Sequence, residues 1–184
     1  MKTFKLPIII LTAIIAINGC KKDENNVEIP PVINEEEVIT TLKLQFTDVA
    51  GVQSPVEFTF RDPDGAGGLS PDIYDDIQLQ QSTTYACSIL LLNETVSPVD
   101  TISNEVLAEA DEHLFCFDVS GAEATIVRTD SDGTYEIGLE SIWTLGGVSQ
   151  GTVTVILKHQ PGIKDGSCEV GETDVEVVFN LEVI

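Results

Sequence analysis

Two histidines, His113 and His159, are the side chains of this sequence best suited to metal chemistry. Three acidic residues precede the first histidine closely: Glu109, Asp111 and Glu112. Imidazole nitrogen combined with carboxylate oxygen is a donor set that suits zinc, copper or iron. The turn at His113 and the strand end at His159 could meet at one rim of the domain, although nothing in the sequence fixes that meeting. The alternative is structural: His113 hydrogen-bonds a backbone group, and His159 is a solvated strand end.

Two short acidic motifs of the form D-x-D-G are candidates for calcium, because hard cations take carboxylate oxygens and a glycine permits a sharp loop. They supply Asp62, Asp64, Asp130 and Asp132. An EF-hand loop needs Glu at its twelfth position, where these motifs place Ile and Ser. Ordinary acidic turns are the alternative, since Asp and Gly are common turn residues.

Nucleophilic catalysis has little support in the sequence. There is no G-x-S-x-G and no C-x-x-C motif. A cysteine–histidine pair would have to use Cys116 or Cys168. Excluding Cys20, the chain has three cysteines, so at least one is free or pairs between molecules. Cys87 and Cys116 lie in strand-like runs and fit plain buried thiols equally well.

Alternating hydrophobicity predicts the elements that position these side chains. Leu42, Leu44 and Phe46 alternate with polar residues, which is typical of a half-buried strand. Residues 85–92 are apolar on both faces and fit a central strand. Further strand-like runs occupy residues 56–60, 114–119, 123–129, 135–144, 152–159 and 174–184.

Turn signals containing Asp, Gly or Gly-Gly separate these runs. Residues 101–112 break the β pattern and favour a short helix or turn, with a Thr or Ser as N-cap. Trp143, the only tryptophan, falls in a strand pattern and is expected in the core. We therefore predict an all-β, antiparallel, immunoglobulin-like β-sandwich of about eight strands with one short helix. A β-barrel is the alternative.

The N-terminus has the pattern of a secretory signal. Lys2 and Lys5 precede an apolar run over residues 6–17, which is too short to span a bilayer. The sequence INGC then resembles a bacterial lipobox, which predicts a signal peptide over residues 1–19 and acylation of Cys20. An ordinary signal peptide with an incidental cysteine is the alternative.

Residues 20–37 are charged, contain Pro-Pro and lack apolar periodicity, so they predict a flexible tether ahead of a domain over residues 38–184. Lys22, Asp23 and Glu24 resemble the lipoprotein export signal of the Bacteroidota. That resemblance implies display on the outer face of the outer membrane. The alternative is that these residues are simply part of a charged, solvated tether, and the two interpretations are compatible.

The chain is strongly acidic, with a formal charge of −22. Without Lys2 and Lys5 the mature chain has 7 basic and 31 acidic residues, a charge of −24. Such a surface repels nucleic acid and anionic lipid, and it attracts cations and basic protein surfaces. Solubility at a crowded surface explains the same charge.

From Val38 onwards the chain resembles a group of small Bacteroidota outer-membrane lipoproteins, commonly labelled "type 1 periplasmic binding fold superfamily". The resemblance rests on FTFRDPDGAGG, LLLNE, EADEHLF, TVTVILKHQPG and GETDVEVVFNLEV. It implies attachment to the outer membrane through the lipid anchor and work beside a TonB-dependent transporter.

These observations favour a non-enzymatic surface lipoprotein that binds a protein partner or ligand, with no required cofactor. A metal-binding accessory protein for uptake, using zinc or copper, is the first alternative. A small hydrolase is the second.

Overall fold

Alternating burial along the strands shows how the sequence pattern becomes a fold. The computed structural model describes residues 37–65 and 68–184. In the first strand, Leu42, Leu44 and Phe46 are buried, while the residues between them are more exposed. The predicted signal peptide, the lipobox at Cys20 and the export signal lie outside the described residues.

Ten strands and one helix make up the described chain. The first five strands are β1 (Thr41–Asp48), β2 (Val56–Arg61), β3 (Ile73–Tyr74), β4 (Ile77–Leu79) and β5 (Thr84–Leu92). The helix α1 (Ile102–Ala108) follows, and then come β6 (His113–Ser120), β7 (Ala124–Arg128), β8 (Glu140–Leu145), β9 (Ser149–His159) and β10 (Glu172–Val183).

The strands form two sheets that do not close into a barrel. One sheet has the order β3-β2-β1-β5-β8-β7, and the other has the order β4-β10-β9-β6. This confirms the predicted β-sandwich and excludes the barrel. One detail differs from the prediction, because β4 pairs parallel to β10 and makes the second sheet mixed.

The core lies between the sheets and is built largely from aromatic and branched side chains. Trp143 is fully buried, as its strand pattern predicted. Its ring meets Phe46 edge-to-face at a centroid separation of 4.9 Å and also contacts Phe117. Such packing orders the core beyond what burial alone provides.

Helix α1 connects the two sheets, because it follows β5 of the first and precedes β6 of the second. Ile102 and Val106 bury its apolar face. Thr101 occupies the N-cap position, but its side chain makes no capping hydrogen bond. The helix ends at Ala108, and a short turn leads from it to His113 at the start of β6.

One disulfide joins Cys116 of β6 to Cys168 in the loop between β9 and β10. Cys87 is a buried free thiol on β5, and burial raises its pKa. The disulfide ties the loop after His159 to the strand that carries His113. No helix in the described chain is long and apolar enough to cross a membrane.

Candidate metal centre

The two histidines meet at one end of the second sheet. β6 and β9 are antiparallel neighbours, and their register places His113 directly opposite His159. The two rings are parallel within 8°, and their centroids are 4.5 Å apart. The paired strands therefore hold both imidazoles in place, and the structure brings together the residues that the sequence nominated.

His113 is fully buried and held through one of its nitrogens. Its Nδ1 lies 3.1 Å from the carbonyl oxygen of Glu109, the residue that caps the end of α1. A carbonyl only accepts, so Nδ1 carries the proton and donates. Burial lowers the pKa of His113, which favours the neutral ring. Nε2 therefore presents a lone pair.

That Nε2 atom is buried and has no hydrogen-bond partner among the described residues. His159 repeats the arrangement with its nitrogens exchanged. Its Nε2 lies 3.4 Å from the carboxylate of Glu112, so the Nε2–H group donates and the carboxylate accepts. Its Nδ1 is buried without a hydrogen-bond partner in the described chain. Each imidazole is thus oriented by an acceptor on one side and offers a bare nitrogen on the other.

Glu109 adds a carboxylate to the histidine pair. One ligand atom from each of Glu109, His113 and His159 lies within 4.8 Å of the others, and this is the metal-competent group found in residues 37–65 and 68–184. Glu109 is exposed while both histidines are buried, so it is the member of the group that solvent reaches. Asp111 is exposed and outside this group, and Glu112 orients His159 instead.

Asp174 is a further acidic residue at the site that was not predicted from the sequence, and its side chain has no exposed surface. Its Oδ2 lies 3.8 Å from His113 Nε2. Thr173 pairs with Lys158 and Val175 pairs with Leu157, so Asp174 is the extra residue of a β-bulge in β10. A bulge re-aims a side chain. The only signal in the sequence was an acid at the start of the last alternating run.

Further carboxylates crowd this end of the domain. Glu37, where the described chain begins, hydrogen-bonds Glu105 of α1. Burial raises its pKa to about 7, and negative charge on Glu105, Asp174 and Glu109 adds to the rise. The site therefore carries an excess of negative charge, which a cation would neutralise.

The loop after β9 is fixed against the histidines. Gln160 is fully buried, and its side-chain amide donates to the carbonyls of Ser167 and Val170. Gly171 has a φ of +82°, and a Cβ there would lie 2.3 Å from the carbonyl oxygen of His159. Only glycine permits this approach.

The carboxylates of the two D-x-D-G motifs largely serve as acceptors in turns. Asp132 accepts from the backbone of Thr134 and Tyr135 and from Lys164. Asp130 accepts from the backbone N–H of Gly138. These contacts favour acidic turns over calcium at the second motif.

In the first motif, Asp64 accepts from the backbone N–H of Leu69. Asp62 is buried, and its Oδ1 has no hydrogen-bond partner in the described chain. Asp62 and Asp64 belong to no metal-competent group among the described residues, so calcium there stays a prediction.

The disulfide removes the proposed cysteine nucleophiles, because neither Cys116 nor Cys168 is a thiol. A cavity with a volume of about 470 Å³ lies where β1 ends at Asp48. Asp48, Gln53 and Ser82 are among the residues that line it, without a histidine or cysteine.

No family model, no curated protein and no solved structure matches this chain. The resemblance to Bacteroidota lipoproteins therefore stays a prediction. The fold and the site define the protein as an acidic two-sheet β-sandwich with a histidine–carboxylate cluster at one end.

Proposed function

We propose that this protein is a non-enzymatic, lipid-anchored binding protein of the outer membrane and that its ligand is a transition-metal ion bound by His113 and His159. One observation carries the metal proposal: each imidazole is oriented through one nitrogen, while its other nitrogen is buried without a hydrogen-bond partner in the described chain. Burying a polar atom without a partner costs free energy, and a metal ion would supply the partner.

The oriented tautomers support the same reading. Histidine ligands typically donate their second N–H to a carbonyl or carboxylate, which fixes the ring and raises its basicity. The Glu109 carbonyl accepts from His113 and the Glu112 carboxylate accepts from His159, so each ring has such a partner. The exposed Glu109 carboxylate offers a route for a cation from solvent.

Binding requires a small movement of one ring. The lone pair of an imidazole lies in the plane of its ring, and the two rings are parallel within 8°. One ion therefore cannot lie in both planes, so at least one ring has to tilt for both to bind it. His159 is the ring that tilts, since its contact to Glu112 is 3.4 Å long while His113 is held at 3.1 Å.

The location and partners rest on sequence. The lipobox at Cys20 supports a lipid anchor, and Lys22-Asp23-Glu24 supports display at the cell surface. The acidic charge supports capture of cations and disfavours nucleic acid. A TonB-dependent transporter is the partner that the family resemblance suggests, and the protein would deliver its ion there.

Calorimetric titration of Zn²⁺ and Cu²⁺ tests the metal proposal. The protein would carry Cys20→Ala, which removes acylation, and would be treated with chelator first. We expect wild type to bind with a stoichiometry of one ion and His113→Ala and His159→Ala to lose that binding. Asp118→Asn, an exposed carboxylate further along β6, is the matched control and should bind like wild type. Binding of equal affinity in wild type and both histidine variants would contradict the proposal.

A further inference from the structure

The β-bulge at Asp174 places a second buried carboxylate against the histidine pair. Asp174 lies at the register shift between Thr173 and Val175, and its side chain has no exposed surface. In a regular strand, alternation would give residue 174 the face opposite to Val175 and Val177. The bulge changes that phase and turns the carboxylate towards His113.

The facing atoms are both acceptors. Nδ1 of His113 donates to the Glu109 carbonyl, so Nε2 bears the lone pair, and the oxygen 3.8 Å away belongs to a carboxylate. A lone pair and a carboxylate oxygen repel each other, and a cation bound between them would be attracted to both. Two ligands of a tetrahedral zinc ion, with bonds of roughly 2.0–2.1 Å, lie about 3.3 Å apart. The observed separation is within a small side-chain adjustment of that value.

We propose that Asp174 is the third protein ligand of the site, so that His113 Nε2, His159 Nδ1 and an Asp174 oxygen form a two-histidine, one-carboxylate centre for a divalent ion of the zinc class. This inference rests on the proposed metal function and specifies its ligand. The three atoms come from three adjacent strands, β6, β9 and β10. Glu109 stays at the mouth and exchanges with solvent in the fourth position.

The donor set selects among metals. Two imidazoles and a carboxylate suit borderline divalent ions, whereas Cu⁺ prefers thiolate or thioether sulfur. Calcium takes six to eight oxygen ligands, which two imidazoles do not supply. The described cysteines cannot provide sulfur, because Cys116 and Cys168 are joined and Cys87 is buried on β5 of the other sheet.

The effect of Asp174 on zinc affinity can be measured directly. Calorimetry would compare wild type with Asp174→Asn and with Asp118→Asn, the exposed control. We expect Asp174→Asn to weaken Zn²⁺ binding by more than the roughly 10- to 100-fold that loss of an outer-shell partner costs. Circular dichroism checks that each variant is folded.

X-ray absorption of the zinc-loaded Glu109→Gln variant, which lacks the other carboxylate proposed at the ion, gives the first-shell ligands directly. We expect two imidazoles and a carboxylate oxygen in the first shell. Histidine-dependent zinc binding that survives Asp174→Asn within about 100-fold, or a first shell without carboxylate oxygen, would overturn the role of Asp174 alone. Absence of zinc binding in wild type would overturn the metal function and this inference together.

Discussion

His113 faces His159 across the β6–β9 pair, with parallel rings whose centroids are 4.5 Å apart. Hydrogen bonding between the two strands fixes this relationship, because the two residues are register partners. Each ring donates one hydrogen bond to the segment between α1 and β6, His113 to the Glu109 carbonyl and His159 to the Glu112 carboxylate. The fold therefore fixes the positions of the two remaining nitrogens, which would not be so for two freely rotating surface side chains.

Glu112→Gln should weaken zinc binding while leaving the domain folded. The amide no longer accepts with a full negative charge, so His159 loses the carboxylate that orients its ring. We expect a loss of roughly 10- to 100-fold in affinity, measured by calorimetry. Asp111→Asn is the control, since Asp111 is adjacent but outside the metal-competent group. Equal losses in the two variants would point to general acidic charge instead.

Cys116→Ser with Cys168→Ser should lower the free energy of unfolding by about 2–4 kcal/mol, because the bond closes a loop across a sequence separation of 52. The variant also frees the loop that follows His159. Urea denaturation measures the change. Reduction of wild type should reproduce the loss, since Cys87 forms no disulfide. An unchanged midpoint in both experiments would show that the bond contributes nothing to stability.

Lys164→Met should flatten the acid limb of the stability profile. Lys164 holds the pKa of Asp132 at about 2, below its ordinary 3.8, through a hydrogen bond of 2.9 Å, and the backbone N–H groups of Tyr135 and Thr134 also lower it. A lowered pKa stabilises the fold above the ordinary value, and that stabilisation is lost as pH falls through the folded pKa.

In wild type, the contribution of Asp132 therefore disappears between about pH 4 and about pH 2. Urea denaturation across this range should show a smaller pH dependence for Lys164→Met. Lys158→Met, which removes a lysine bonded to Thr173, is the matched control and should keep the wild-type slope. Parallel profiles for wild type and Lys164→Met would refute the role of the ion pair.

Cys20→Ala should release the protein from membranes, because acyl chains on this residue would be its anchor. Fractionation of cells followed by detection of the protein measures the change. Protease treatment of intact cells should cut wild type within residues 21–37 if the protein is displayed at the surface. Resistance in intact cells together with cleavage after lysis would place it on the inner face of the outer membrane.

The sequence predicted the two-sheet fold because burial follows alternation in the long strands. It missed β3 and β4, which have two and three residues, since periodicity cannot be read over so short a run. The predicted run over residues 135–144 became the shorter strand β8, although Ile137 and Leu139 are buried ahead of it. Hydrophobic side chains were recognised there, but the absence of ladder pairing was not predictable.

The candidate site was partly predictable. Both histidines and Glu109 stood out by residue type, but nothing in the sequence fixed their meeting, which depends on the pairing of β6 with β9. Asp174 did not stand out, because a bulge changes the phase of a strand without a distinctive sequence signal. The different roles of Asp111 and Glu112 depend on the turn between α1 and β6, which fixes directions that residue types do not encode.

Nitrogen-15 NMR of the histidine side chains during zinc titration shows which ring nitrogens bind the ion. The chain has only two histidines, so four ring nitrogens report on the whole site. We predict that zinc shifts the signals of His113 Nε2 and His159 Nδ1. His113 Nδ1 and His159 Nε2 should stay protonated. Four unchanged nitrogen signals at saturating zinc, or zinc binding to the two protonated nitrogens, would contradict it.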